Sequence, residues 1–492
     1  MTQTAVRYET VIGVEVHAQL LTRSKMFCTC SMPSLESPPN THVDPVCLGM
    51  PGVLPVINQE AVELTIMTGL ALNCEIAREA KFDRKNYHYP DLMKGYQISE
   101  YDLPICRDGW LEIDVDGETK RVGITRVHLE EDTARLIHQT DPATGETYSL
   151  IDVNRSGVPL MEIVSEPDIR SAEEARAYLQ KLRQILRYIG ASRANMEEGN
   201  MRCEPNVSLR PAGTEAFGEK VELKNINSFK HAYDAIHFEE KRQAEVLDSG
   251  GKISQETRGW REDINQTVSQ RSKEFAADYR YFPEPDLPPL IITETWVREI
   301  RDRMPELPDA KRARFESQYG LSEYDAHVLA DSIARANFFE EAVALGGGSA
   351  ERAKKVANWV TGDFARLLNA AAIEIEESHV KPEMLSELVD LQDAGTISGK
   401  TAKDVFEQVF ETGKSPKAIV EEQGLTQIES SAEVEAACEK VISENQKAVQ
   451  DYRGGKEEAI KFLVGQVMRE TRGRARPDAI TDMLKEKLNR GP

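Results

Sequence analysis

Three short runs carry acids and imidazoles at strand spacing. In "VIGVEVHAQL" (11–20), Ile12, Val14, Val16, Ala18 and Leu20 fall on one side of an extended chain. Gly13, Glu15, His17 and Gln19 fall on the other, because side chains alternate along a strand. "RVHLEED" (126–132) sets His128 and Glu130 on one face and Leu129 and Glu131 on the other. "PLMEIVSEPD" holds Glu162 as an isolated acid in an apolar run, where a buried carboxylate is costly unless a cation or donors compensate it. Such strand acids together with His17 would make an oxygen-rich divalent site, of the kind that holds magnesium or manganese on phosphate substrates. The competing expectation pairs each acid with an arginine such as Arg126 or Arg155, and leaves Glu15 and His17 on a solvated face.

A second set is basic and aromatic. "KFDRKNYHYPDLMKGYQIS" gathers Lys81, Arg84, Lys85, Lys94 and several tyrosines, "LKNINS" adds Lys224, and "DYRYFPEPD" adds Arg280. Turn-rich segments of this composition suit phosphates and stacked bases, and equally suit a solvated loop. "FCTCSMPSLESPPNTHVDPVCLG" clusters Cys28, Cys30 and Cys47, with Asp44 where a zinc knuckle would carry its fourth thiolate. Near the end, "KFLVGQVMRETRGRARP" runs an apolar helix into Arg469, Arg472, Arg474 and Arg476, a candidate nucleic-acid-backbone stripe. "GTISGKT" (395–401) is one residue short of a P-loop and follows a helical rather than a strand pattern, so Ser398 and Thr401 read as a helix cap.

The elements that must position these groups divide the chain. At 492 residues it is too long for one core, and its 40% hydrophobic and 29% charged residues suit a water-soluble globular protein. A net charge of −22 repels phosphate in bulk, so any nucleic-acid partner needs a local basic patch. The seven cysteines argue against a disulfide framework. No apolar run spans a membrane and no signal peptide is recognisable, so a cytoplasmic location is expected. Up to residue 293 short alternating runs mix with helices. The clearest helix is "SAEEARAYLQKLRQILRYIG", with Ser171 and Glu174 as a capping box, and a second runs from Ser228 to Gly250. After "YFPEPDLPPL" the strand signal ends and successive helices follow. The expected class is α+β: a mixed sheet-and-helix cradle over 1–293, a helical domain over 294–415 and a small helical tail over 416–492.

The blocks "ETVIGVEVHAQLLTRSKMFC", "PGVLPVIN", "KFDRKNYHYPDLMKGYQIS", "HLEEDTARLIH", "DVNRSGVPLMEIVSEPDIRS", "ELKNINSF" and "DYRYFPEPDLPPL" together resemble the B subunit of the tRNA-dependent amidotransferase, the GatCAB complex. The resemblance covers essentially the whole chain. It implies ATP-dependent amidation of misacylated Glu-tRNA(Gln), Asp-tRNA(Asn) or both, with ammonia supplied by a glutaminase of the amidase family (the A subunit) and a small C subunit bracing the assembly. The alternative it leaves open is a non-catalytic tRNA-binding scaffold and ammonia channel. Carried over, Glu15, His17 and Glu162 match the family's magnesium-site motif, as does one acid of "HLEED", Glu130 or Glu131. Lys81, Arg84, Lys85, Lys224 and Arg280 become candidates for ATP or the tRNA 3′ end, and the basic end of the tail for tRNA. Zinc-holding members carry two cysteine pairs, so Asp44 leaves zinc open here.

Overall fold

The computed structural model describes residues 7–34, 36–272, 279–426, 431–471, 475 and 477–489. The chain divides into two compact units, Met1–Leu307 and Pro308–Pro492.

The first unit is built on a twelve-stranded sheet. Its principal strands are β1 (Tyr8–Gln19), β2 (Phe82–Asn86), β3 (Tyr96–Glu100), β4 (Cys106–Val115), β5 (Glu118–Glu131), β6 (Pro159–Ser165), β7 (Met201–Pro211), β8 (Val221–Lys224), β9 (Glu256–Arg261) and β10 (Gln266–Ser272). In space they run β10-β9-β8-β7-β1-β6-β5-β3-β2, with β4 pairing off β5. The neighbours of β1 are both antiparallel, and among the described residues only β8 and β9 pair in parallel. The N-terminal strand therefore lies at the centre, between segments some 150 and 190 residues downstream in sequence.

The alternation of β1 explains its place. Val14, Val16 and Ala18 are buried on the side where α1 (Gln59–Ala71), α2 (Ala172–Tyr188) and α3 (Phe229–Asp248) contribute to the same apolar core. Glu15, His17 and Gln19 point to the opposite face. The α2 helix forms where its sequence signals it. Ser171 Oγ accepts the Glu174 N–H at 3.1 Å, while the Glu174 carboxylate takes the Arg170 N–H at 2.7 Å, one residue before the cap, so the reciprocal half of the expected box is shifted. The α3 helix is capped by Ser228 as expected.

The compositional break at 293/294 lies one helix before the division in packing. The α4 helix (Glu294–Asp302) buries Ile300 in the core of the first unit, with Trp296, Val297 and Leu307 packed against it. Within the second unit, helices from α5 (Pro308–Tyr319) to α12 (Pro416–Gln423) enclose one apolar cluster that runs from Phe315 to Val420. A separate cluster from Val434 to Leu488 is enclosed by α13 (Ser431–Glu444), α14 (Gln446–Arg453), α15 (Ala459–Glu470) and α16 (Pro477–Asn489). The near-P-loop leads into the first turn of α11 (Gly399–Thr412), where Ser398 caps the helix through the Thr401 N–H at 3.2 Å.

Candidate functional site

Antiparallel register brings the chemistry-bearing residues onto one row. His17 on β1 lies opposite Glu162 on β6, and Glu162 lies opposite His128 on β5. Glu130 stands two residues along β5 on the same face. Directly paired residues share a face of the sheet, so side chains far apart in sequence meet without a loop having to place them.

His17, Glu130 and Glu162 each offer a ligand atom within 4.8 Å of the others. His17 Nε2 is 3.4 Å from Glu162 Oε2 and 3.8 Å from Glu130 Oε1. Glu130 Oε2 is buried and has no hydrogen-bond partner among the described residues; its nearest cation is Lys85 Nζ at 3.9 Å. A shielded carboxylate oxygen without a donor, beside a second carboxylate and an imidazole, fits a divalent cation.

Around this group His128 Nε2 lies 3.5 Å and Arg126 Nη2 3.7 Å from the Glu162 carboxylate. Arg126 Nε also donates to His128 Nδ1 at 3.3 Å, which leaves the His128 proton on Nε2, toward Glu162. The electrostatics follow from these neighbours. Burial opposes ionisation of Glu162, but His128, His17 and Lys85 outweigh it and hold its carboxyl well below the usual range. Burial, reinforced by the Glu162 charge, pushes Glu130 up against the pull of Lys85. Burial depresses His17, yet its bond to Glu162 and the surrounding carboxylates carry it up to about 9. Burial brings His128 down to about 4.

Glu15 sits two residues from His17 on the same strand face but outside the three-residue group. Its carboxylate accepts from Asn206 Nδ2 at 3.1 Å, and burial followed by the charges of Glu162 and Glu204 raises its pKa. Glu131 points to the other face of β5, as alternation requires. Both its oxygens contact Lys94 Nζ, at 2.6 and 2.7 Å, and it accepts the Ile98 N–H at 2.9 Å. Of the adjacent acids, Glu130 joins the group and Glu131 does not.

The expected basic candidates divide in the same way. Lys81 is shared between Asp83 at 2.7 Å and Asp102 at 2.6 Å. Arg84 grips the fully buried Glu284 with two bonds of 2.7 and 2.8 Å and stacks over Tyr96, so it fastens the 280s segment to β2. Lys224 lies between Glu204 at 2.8 Å and Glu222 at 3.6 Å. Arg280 is exposed, with a left-handed backbone (φ 44°) and its carbonyl held by Asn86. Lys85, beside Glu130 and 5.4 Å from the Tyr279 ring centre, is the one of the five that borders the carboxylate group.

The cysteine segment closes into a second group: Cys28, Cys30, Asp44 and Cys47 present donor atoms within 4.8 Å of one another. Cys47 Sγ accepts from the Asp44 N–H at 3.2 Å and from the fully buried Lys25 Nζ at 3.5 Å. Its hydrogen bond from Cys28, with these donors, brings the Cys47 thiol down to about 6 against the effect of burial, while Cys28 is pushed up. Three sulfurs and a carboxylate at this spacing, beside a buried ammonium that offsets thiolate charge, fit a tetrahedral zinc ion. The segment also packs against the lysine behind the neighbouring acid. A Cβ on Gly49 (φ +65°) would meet Lys94 at 2.8 Å, so the cysteine loop lies directly on the lysine that pairs with Glu131.

Arg469 is exposed in the last turn of α15; Arg472, Arg474 and Arg476 lie outside the described residues. Sequence reasoning missed Arg202, Glu204 and Asn206 on β7, which stand opposite His17, Glu15 and Gly13. The signal was present as the alternation of "MRCEPNV", whose Met201, Cys203 and Val207 are buried. What it lacked was the pairing partner.

Known proteins are similar to this chain over nearly its whole length. Residues 10–298 match the family model described as the GatB/GatE catalytic domain, and residues 337–488 match one described as the GatB domain. The chain is 56% identical over 481 residues to the B subunit of the aspartyl/glutamyl-tRNA(Asn/Gln) amidotransferase of Carboxydothermus hydrogenoformans, covering 98% of this chain and 99% of that protein. It is 54% identical over 491 residues to the protein of the same name from Dehalococcoides mccartyi, covering 99% and 100%. To that of Thermomicrobium roseum it is 55% identical over 481 residues, covering 98% and 99%.

Proposed function

The chain belongs to the GatB family, and from that membership we propose that it is the component in which a misacylated tRNA is activated and amidated. The substrates are Asp-tRNA(Asn) and Glu-tRNA(Gln), the pair in the relatives' name. A cytoplasmic location follows from the reaction, whose tRNA products feed translation. Among the described residues no helix is long and apolar enough to cross a membrane.

The chemistry sets what the site must do. A side-chain carboxylate is a poor electrophile because oxide cannot leave. Its oxygen attacks the γ-phosphorus of ATP, ADP departs, and the product is an acyl phosphate. Ammonia then adds to the acyl carbon, and phosphate leaves with the former carboxylate oxygen. Phosphoryl transfer asks the protein for positioning and for charge stabilisation around the phosphate oxygens. The observation that carries the reading is the convergence of His17, Glu130 and Glu162 from three adjacent strands, with a buried carboxylate oxygen left without a donor.

Those three residues would hold a magnesium ion, which when bound supplies positive charge to the phosphates. Arg126 and His128 fix the Glu162 carboxylate in its ionised, aimed form. Lys85 presents its ammonium at the edge of the group, for the nucleotide phosphates. Glu15, steadied by Asn206, borders the same face. The helices of the Val434–Leu488 cluster, within the expected 416–492 tail, are proposed as a separate tRNA-gripping unit, and those of the Phe315–Val420 cluster as the helical domain before it. The glutaminase of the complex, its A subunit, supplies ammonia, and the small C subunit braces the assembly. Zinc in the Cys28–Cys30–Asp44–Cys47 group is a structural ion in this reading.

The test is Glu15→Ala and Glu162→Ala in the co-expressed complex, assayed with ATP, glutamine and each misacylated tRNA. Amidation is expected to be lost while glutamine hydrolysis and tRNA binding persist. Normal amidation by both variants would leave the chain as a scaffold.

A further inference from the structure

Arg202 has a position that no pairing fully accounts for. It stands directly across from His17 in the β7–β1 register, on the face that carries the carboxylate group. Its Nη2 is fixed by Asp132 Oδ2 at 2.7 Å. Asp132 is itself buried, accepts Gln19 Nε2 at 3.0 Å, and has Arg155 Nε 3.5 Å away. One carboxylate thus serves two guanidiniums, with the charges of Glu130 and Glu204 also acting on Arg202. Arg155 is occupied further by the Thr133 and Ala134 carbonyls, at 3.0 and 3.1 Å. Arg202 is not: its Nε is shut away from solvent without a hydrogen-bond partner among the described residues, while 39% of the side chain remains accessible.

A buried guanidinium N–H without an acceptor is unfavourable, and a bound oxyanion would relieve it. The fork geometry suits the task, since Nη2 can stay on Asp132 while a small rotation of the accessible side chain opens Nε to an oxygen of a tetrahedral anion. Lys85 borders the carboxylate group beside Glu130, and Arg202 stands beside His17, so the two cations flank the group from different strands. Resting on the reading above, we propose that Arg202 is a phosphate-binding residue that takes the transferred phosphoryl group, with Asp132 as the anchor that holds it in place.

The test measures binding of magnesium ADP to the purified complex by calorimetry, with and without beryllium fluoride, which mimics the transferred phosphoryl group. Wild type is expected to bind the fluoride complex more tightly than ADP alone. In Arg202→Lys a single ammonium stays on Asp132 and cannot reach both partners. It should bind ADP within twofold of wild type and lose at least tenfold of the fluoride enhancement, with glutaminase turnover unchanged. Arg202→Gln, which leaves Asp132 paired with Arg155, should show the same loss if the lysine variant folds poorly. Full enhancement in a folded variant overturns the assignment, as does an equal loss for ADP alone, which would make Arg202 a general structural contact. Absence of any nucleotide binding by wild type would instead bring down the underlying reading of the site.

Discussion

Glu130 and Glu131 are neighbours of the same type, and the structure requires opposite phenotypes from them. Glu131→Gln removes the charge from a buried pair whose lysine contacts both carboxylate oxygens. Breaking a buried ion pair from one side costs about 3–5 kcal/mol, and the glutamine keeps one acceptor for the Ile98 N–H, so the lower end of ~3 kcal/mol applies. At an unfolding entropy of about 2 cal/mol/K per residue, a unit of residues 1–307 loses ~5 °C in Tm. Glu130→Gln should do the reverse. The Glu130 carboxyl is pushed up by burial and by Glu162, so neutralising it relieves repulsion and shifts stability by less than ~1 kcal/mol. Its loss should fall on chemistry, by about two to three orders of magnitude in kcat, the cost of one electrostatic contact at a reacting group. The assay is thermal unfolding of the purified chain beside ATP-dependent amidation by the co-expressed complex. A Glu131→Gln variant of normal Tm, or a Glu130→Gln variant of normal kcat, would refute the division of roles read from strand alternation.

Three further outcomes are expected. Zinc should copurify at one equivalent per chain by elemental analysis; Asp44→Cys should slow its loss to a chelator, and Cys47→Ser should abolish it, whereas equal metal content in all three would exclude the site. Glu100 is fully buried, and burial carries its carboxyl up to about 8 despite the Leu129 and Ile105 N–H groups. The folded chain therefore binds more protons than the unfolded one between pH ~4.5 and ~8, and stability from this group falls by up to about 1.4 kcal/mol per pH unit as pH rises through that window. Urea unfolding across pH 5–8 should show this slope in wild type and not in Glu100→Gln. Charge reversal at Arg469 should weaken tRNA binding by the complex and reduce its salt dependence; an unchanged affinity would remove α15 from the tRNA surface.

The parts of the site carried by local pattern were legible in the sequence. Alternation in "VIGVEVHAQL" separated Glu15 and His17 from the core, and the same rule split Glu130 from Glu131, because a two-residue period fixes the face of each side chain. Partnership across long sequence separations was not legible. Arg84 reads as a ligand in "KFDRKNYHYP", yet its carboxylate partner comes 200 residues later, as do the contacts that fasten that segment. Arg202 reads as one charge among several on a polar strand face, and only the β1–β7 register sets it opposite His17. The placement of Asp44 beside three thiols likewise needed a fold in the loop, since spacing alone suggested a missing ligand.

The central claim, that His17, Glu130 and Glu162 share one divalent cation, is tested most directly by pulsed electron paramagnetic resonance of the complex loaded with manganese in place of magnesium. The expected spectrum shows coupling of the manganese spin to an imidazole nitrogen, and that coupling disappears in His17→Gln while the fold is kept. Bound manganese without nitrogen coupling, or the same coupling in His17→Gln, would contradict it.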